Sequence, residues 1–295
     1  MKLRKGDRMK RLISIISVIL IFLFTIGIVS AQEIKKGIIS GKLMIKDGGP
    51  MGEGLVHFFN AETGPIPDPD KYWRVPDYIT DIKENGEFTT ELNEGKYYVG
   101  AIKRVSGKKE IGPPMIGDFF FISKDEKGNP KLYSVKKGED ISTGTISEAI
   151  LFKGWVIKDK ITAIEGRVLI DDGKPVEGAL VFAYSLSAMS DRPEFVSDRT
   201  DKDGKFTLRV YEGGNYYLRA RDLYGGGPPA TGGIIGTYRK ETSSHLLPPS
   251  PPGPSGLVGI YGKETSTSVT VNTGEIKKGI DINVVRFPGR GPKKD

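Results

Sequence analysis

The stretch TDKDGKFTLRV, Thr200–Val210, decides between a metal site and a turn joining two strands. Two aspartates two apart and then a glycine look like the start of a calcium loop. An EF-hand loop needs oxygen ligands at its positions 1, 3 and 5, glycine at 6 and a bidentate Glu at 12. With Gly204 at the glycine position, Asp201 and Asp203 occupy the third and fifth places, but Arg199 stands first and Val210 last. Neither binds calcium. A hairpin fits the same residues better: Asp-Gly favours a tight turn because glycine takes φ > 0 at no steric cost. Phe206, Leu208 and Val210 then follow at period two, the pattern of a strand with one buried face.

The turn occurs twice. GKLMIKDGGPMGEGLVHFF (Gly41–Phe59) aligns without a gap to GRVLIDDGKPVEGALVFAY (Gly166–Tyr184), and NGEFTTELNEGKYYVGA to DGKFTLRVYEGGNYYLRA. Opposite Asp201 and Asp203 the first copy has Lys83 and Asn85, so the shared features are the glycine and the phenylalanine two residues on. A hairpin needs those; a carboxylate pair is not shared. Each copy reads as short alternating strands punctuated by Gly, Pro, Asp and Asn, with no convincing amphipathic helix after residue 31. Gly 39 and Pro 19 in 295 residues suit such a turn-rich β chain. The expectation is all-β: two tandem seven-stranded Greek-key β-sandwiches, at 33–150 and 162–288, joined by a linker at 151–161 and followed by a basic tail at 289–295.

The order of these features resembles the carboxypeptidase regulatory-like domain, which has a transthyretin-like (prealbumin-like) sandwich. A Gly-x-Pro strand end, a T-D-x-D-G-x-F hairpin, a G-x-Y strand and a terminal G-x-D-I strand carry the resemblance. In the second copy they are Gly173, Pro175, Gly178, Ala179, Val181, Asp201, Gly204, Phe206, Tyr217, Ala220, Gly279, Asp281 and Ile282. The first copy departs from it, with Glu53-Gly54 replacing the usual Gly-Ala pair. The resemblance spans most of 37–148 and 162–287. It implies an accessory module of enzymes, receptors and surface proteins, and architecture more than activity. Related sandwiches include starch-binding modules and adhesin stalk repeats. Some of those stalks join a first-strand Lys to an Asn or Asp on the last strand. Lys42 holds that place in the first copy, but Arg167 holds it in the second, and a guanidinium does not form such a bond.

The leading segment, 1–31, has the form of a secretory signal peptide. Arg4, Lys5, Arg8, Lys10 and Arg11 precede an apolar run from Leu12 to Val29, and Val29-Ser30-Ala31 puts small residues at a cleavage position. The expectation is cleavage before Gln32; the alternative is an uncleaved anchor. The segment holds six of the 44 basic and one of the 37 acidic residues, leaving 38 against 36. The high pI of 9.2 is therefore mostly signal, and a nucleic-acid surface is not supported. The chain has no cysteine, which excludes thiol catalysis, Fe–S clusters and Cys-based zinc sites.

An enzyme needs a constellation, and none is legible. The two histidines are His57, in the strand-like LVHFF, and His245, in a Pro/Ser-rich loop. No H-x-x-E, H-E-x-x-H or G-x-S-x-G is present. No cofactor is implied. The candidate ligand-binding residues are Tyr72, Trp73 and Tyr78 in DPDKYWRVPDY, where exposed rings would offer platforms to a sugar; the alternative is that Trp73 caps its own core. Trp155 suits packing between the domains. The candidate docking residues are Tyr238, His245, Leu247, Pro248 and Pro249, in a long loop whose proline-rich part suits an extended polyproline II edge. The function expected is a non-catalytic structural or interaction protein, exported to the periplasm, cell surface or extracellular space. Its partner would be an envelope or extracellular protein, with polysaccharide binding as the alternative. Membrane contact is expected only through an uncleaved leading segment.

Overall fold

The structure is a computed structural model, and it describes residues 36–155, 160–170, 173–189, 192–224, 229, 231–239 and 267–287. The leading segment, His245, Leu247, Pro248, Pro249 and the basic tail lie outside the described residues. Within them the chain is strand and turn, with no helix.

The first unit runs β1 (Lys36–Ile45), β2 (Leu55–Asn60), β3 (Tyr78–Asp81), β4 (Glu87–Asn93), β5 (Gly95–Lys103), β6 (Phe119–Ile122), β7 (Leu132–Val135) and β8 (Asp140–Leu151). Its pairing order is β3-β2-β5-β6-β8-β1-β4, with β7 also on β5. The first and last strands pair in parallel, Ile39 opposite Ile141 and Leu43 opposite Ile146. Period-two side chains from β1, β4 and β8 (Ile39, Leu43, Phe88, Leu92, Ile146) meet those of β2, β5 and β6 (Val56, Phe58, Tyr97, Val99, Phe121) in one core.

The second unit runs β9 (Thr162–Ile170), β10 (Lys174–Pro175), β11 (Leu180–Tyr184), β12 (Phe195–Val196), β13 (Lys205–Val210), β14 (Gly214–Arg221), β15 (Ile234–Thr237), β16 (Ser268–Val271), β17 (Ile276–Lys277) and β18 (Ile282–Arg286). Its first strand likewise pairs in parallel with its last, Val168 opposite Ile282, and β14 carries β15 and β16 on successive stretches as β5 carries β6 and β7. Ile164, Val168, Phe206 and Leu208 face Val181, Leu218, Ala220 and Val269 across its core.

Among the described residues the strands number eight and ten, where seven were expected for each sandwich. Two of the extra strands arise because β5 and β14 each pair along one edge with two successive short strands, β6 and β7 on the first and β15 and β16 on the second. The second unit adds a two-residue bridge at Lys174–Pro175 and splits its last strand at Gly279, which has φ 77°.

The opening stretch is a turn, but not the hairpin expected: it leads from Val196 of β12 to β13, and these strands pair with β11 and β9 instead of with each other, because the chain crosses there from one layer to the other. Gly204 has φ 73°, and a side chain there would meet the Val168 carbonyl at 2.6 Å. Asp201 works locally: its Oδ1 accepts the Asp203 and Lys205 N–H groups, both at 2.9 Å. Asp203 points away to Lys205 Nζ at 3.1 Å.

Candidate functional site

Strands β2, β5 and β11 are buried along nearly their whole length on both faces. One face of each lies in its own core. The other faces lie against a second layer, where the two units meet. Leu180, Phe182, Tyr184 and Val196 from the second unit share a cluster with Ile102, Trp73 and Val75 from the first, and Phe120, Trp155 and Tyr217 pack against it.

An arm between β2 and β3, residues 61–77, builds much of this seam. The Val75 N–H donates to the Glu194 carbonyl at 2.8 Å and the Val196 N–H to the Trp73 carbonyl at 3.2 Å. Arg74 bridges Phe195 in antiparallel fashion. The arm therefore extends the second unit's sheet beyond its edge strand β12, covering an edge that would otherwise be open to pairing.

Tyr72 enters the second unit's core, its ring edge-on to Phe195 at 5.6 Å and to Tyr211 at 5.4 Å. Its hydroxyl donates to the Ile66 carbonyl. Trp73 lies 6.3 Å from His57, 5.6 Å from Phe120 and 6.2 Å from Trp155. Trp73 is 2% exposed and Tyr72 3%, so neither ring offers a face to a sugar. Nor does Trp73 cap its own core; it caps the seam. Tyr78 is half-buried against the first core, 6.0 Å from Tyr97. The sequence brought these three rings together as one platform, and the structure sends them to three places.

Charged side chains pin the arm and its neighbours. The Arg74 guanidinium donates to the Pro65 carbonyl at 2.7 Å, the Asn60 carbonyl at 2.6 Å and Asp77 at 2.9 Å. Asp77 also pairs with Arg192 of the second unit at 2.7 Å. Trp155 sits between the units: its indole N–H donates to Asp198 at 3.0 Å, and the Arg209 guanidinium lies 4.3 Å from its ring. Arg209 reaches back to the Pro69 carbonyl at 3.2 Å. Burial holds the Asp198 carboxyl above the usual carboxylate range, against the pull of Arg209 and the Trp155 N–H. Glu110 and Arg199 add a looser pair at 3.6 Å.

His57 is 1% exposed, and neither ring nitrogen has a hydrogen-bond partner. Burial, with a contribution from the Arg104 charge, pushes its pKa down from 6.5 to about 3. The ring is therefore neutral at neutral pH and acts as a flat, slightly polar filler in the position where the second copy has Phe182.

An open groove of about 410 Å³ lies beside the arm. Ile66, Asp68, Asp70 and Tyr72 line it from the arm, Lys124 and Pro130 from the β6–β7 connection, and Tyr211 from the second unit. Tyr211 is 53% exposed and is the ring here with a free face. Sequence reading missed it, since it stands alone in a short turn. Its proximity to the Asp68–Asp70 loop comes only from the packing of the two units.

Tyr238 is the docking candidate among the described residues. Its N–H donates to the Leu218 carbonyl at 3.0 Å, and its carbonyl accepts the Thr267 N–H at 3.3 Å. Ser123 makes the same two contacts in the first unit, to Val99 and Lys131. Tyr238 and Thr267 thus meet as the two ends of a connection whose counterpart runs only from Ser123 to Lys131.

At the stalk-type crosslink position, Lys42 stands opposite Thr145 on β8, where an Asn or Asp would be needed, and opposite Glu87 on β4. Arg167 instead grips Asp281 through two hydrogen bonds, at 2.6 and 3.3 Å.

No protein-family model matches the chain, and no curated protein matches it. Solved structures do align. The Bacillus anthracis TIE protein matches at 14% identity over 85% of this chain and 34% of that one, with a TM-score of 0.23. The streptococcal ancillary pilin matches at 12% identity, 87% and 64% coverage and a TM-score of 0.22. The minor pilin of Streptococcus agalactiae matches at 11% identity, 88% and 100% coverage and a TM-score of 0.22. This chain spans 34% of the TIE protein and 64% of the ancillary pilin. Superpositions this loose carry no argument about activity or partner.

Proposed function

We propose that this chain is an exported, non-catalytic scaffold of the cell envelope or extracellular space: a transthyretin-like module present in two copies and fused into one stiff body. The carrying observation is the arm, which adds its backbone to the second unit's sheet and sends Tyr72 into the second unit's core. Linked domains with small polar interfaces move independently by default. Here the buried charges Arg74, Asp77, Asp198 and Arg209 are engaged in fixing the seam, the use expected of a spacer or presenting platform. The gap-free alignment of the two halves and the shared strand pairings support duplication of one module. The expected partner is an envelope or extracellular protein.

The test joins two measurements. Protein recovered from the envelope or medium is expected to start at Gln32, and its thermal unfolding to be one transition covering both units. An N-terminus at Met1 in a membrane fraction would replace the secreted form with an anchored one. Two separate transitions in the unaltered protein would remove the fused-scaffold reading.

A second reading, glycan binding, is favoured by one observation: the free face of Tyr211 beside Asp68 and Asp70 in the groove. A sugar would stack on that ring and donate hydroxyls to the carboxylates. Binding on a glycan array that Tyr211→Ala abolishes, with melting unchanged, would establish it; an array without binding leaves the scaffold alone.

A further inference from the structure

We infer that one tip of the first sandwich is a docking surface for an anionic lipid bilayer. Val105 is 71% exposed and Ile116 74%, the two most exposed large apolar side chains among the described residues. They belong to one patch. A Cβ on Gly117 would lie 3.7 Å from Val105 Cγ1, and one on Gly154 would lie 3.7 Å from Ile116 Cδ1. Met115 and Leu151, also exposed, stand next to Ile116 in the chain and at the end of β8.

The patch is held out by design of the loop beneath it. Asp118 is fully buried and accepts the Val105 N–H at 3.0 Å and the Met115 N–H at 2.8 Å. Its partner Arg104, at 2.6 Å, donates to the carbonyls of Glu110, Gly112 and Pro113. Backbone bonds from Gly117 to Phe152 and from Phe152 to Asp118 close the loop onto the end of β8. A buried ion pair is an expensive way to fix a loop. Here it holds two branched apolar side chains in water, where packing alone would draw them in.

The rim names the partner. Lys103, Lys108 and Lys153 flank the patch along the chain and have no ion-pair partner among the described residues. The carboxylates of the same segments are engaged: Asp118 on Arg104 and Glu110 on Arg199. Lys109 is the exception among the lysines, pairing with Asp81 at 2.9 Å. Protein interfaces are depleted of lysine, whereas ammonium groups around an apolar centre match anionic headgroups above an acyl boundary. This surface lies at the Ile45 end of β1, opposite Lys36, about 30 Å along the strand. It adds a membrane contact that the sequence reading did not foresee.

The experiment uses the chain from Gln32 onward, which removes no described residue. It is sedimented with vesicles of phosphatidylcholine alone and of phosphatidylcholine mixed with phosphatidylglycerol. Binding is expected only with the anionic mixture, falling about fivefold for each of Lys108→Gln and Lys153→Gln and falling again in high salt. The double variant Val105→Asp/Ile116→Asp is expected to lose binding while its melting temperature stays unchanged, since both side chains are exposed. Three results would overturn the inference: no sedimentation with anionic vesicles, undiminished binding by the double variant, or equal binding to a soluble polyphosphate that ignores the apolar substitutions. Capture of a protein partner through this tip without vesicle binding would overturn it as well.

Discussion

The connection that follows β2 in the first unit and β11 in the second takes a different course in the two halves of this molecule. In the second unit it runs from Tyr184 to Phe195, and its described residues lend Met189 and Arg192 to the seam without entering the first unit's core. In the first it runs from Asn60 to Tyr78 and crosses, carrying Tyr72 into a foreign core and Trp73 into the seam. The two units share strand pairings, turn glycines and core positions, yet one donates and the other receives. The two similar units thus meet asymmetrically, one of them sending a ring into the other's core.

Removing the arm's largest anchor tests that asymmetry most directly. Trp73→Ala is expected to cost about 3–5 kcal/mol, as for other buried aromatic truncations. The loss falls on the seam and spares both cores, so the signature is specific: one calorimetric transition becomes two. Phe88→Ala, in the first core, is expected to cost a similar amount but to destabilise the first unit itself. A single transition lowered equally by both variants would mean that the seam is no weaker than the cores and that the donor–receiver picture is wrong.

The cores were legible in the sequence and the seam was not. Alternation fixed the inward residues of β4, β13 and β14: Phe88 and Leu92, Phe206 and Leu208, Tyr216 and Leu218 all point where period two puts them. The seam left a weaker signal. LVHFF and LVFAY have apolar or neutral residues at consecutive positions instead of alternating ones, which marks strands covered on both faces. The sequence does not say what covers them, because that depends on contacts between residues far apart, such as Val75 with Glu194. Tyr72, Trp73 and Tyr78 looked like one exposed platform for the same reason. A loop rich in Pro, Asp and aromatic rings has the same composition whether it meets solvent or another domain.

His57 sharpens the comparison further, since Phe182 holds its place in the second unit. In the folded chain the His57 pKa is about 3, below the 6.5 of the unfolded chain. Between those values the unfolded chain binds the extra proton, so stability falls as pH drops through that window. From pH 6.5 to pH 5 the loss is about 2 kcal/mol at 1.36 kcal/mol per unit. His57→Phe copies the second unit's residue and is expected to remove most of this slope while leaving stability at pH 8 close to unchanged. A slope that persists in His57→Phe would assign the acid sensitivity to carboxylates held below their ordinary range by backbone hydrogen bonds, such as Asp125 and Glu275; Asp198, raised by burial, works in the opposite direction.

A smaller effect separates the first and last strands of the two units. Arg167 and Asp281 form a forked ion pair where Lys42 meets Thr145, so neither unit sets a first-strand Lys opposite an Asn or Asp on its last strand. The intact mass of the mature chain is expected to equal its sequence mass. A deficit of one ammonia or water, localised to a peptide containing Lys42, would show chemistry that the Thr145 pairing does not allow for.

The two corresponding turns give the smallest effect and return to Asp201. In the second turn, Asp201 Oδ1 accepts two backbone N–H groups; in the first, Asn85 Oδ1 accepts the Glu87 N–H at 3.1 Å. Both side chains do the same work from different places in the loop, one charged and one neutral, so charge is not what the turn requires. Asp201→Asn is therefore expected to keep stability within about 0.5 kcal/mol, whereas Asp201→Ala loses about 1 kcal/mol with its two hydrogen bonds. Calcium is expected to leave the melting temperature of all three proteins unchanged, because an ion bound to the folded state alone would raise it. A calcium-dependent rise in the unaltered protein that Asp201→Asn abolishes would turn the carboxylate from a turn former into a ligand, and would make the second turn chemically unlike the first.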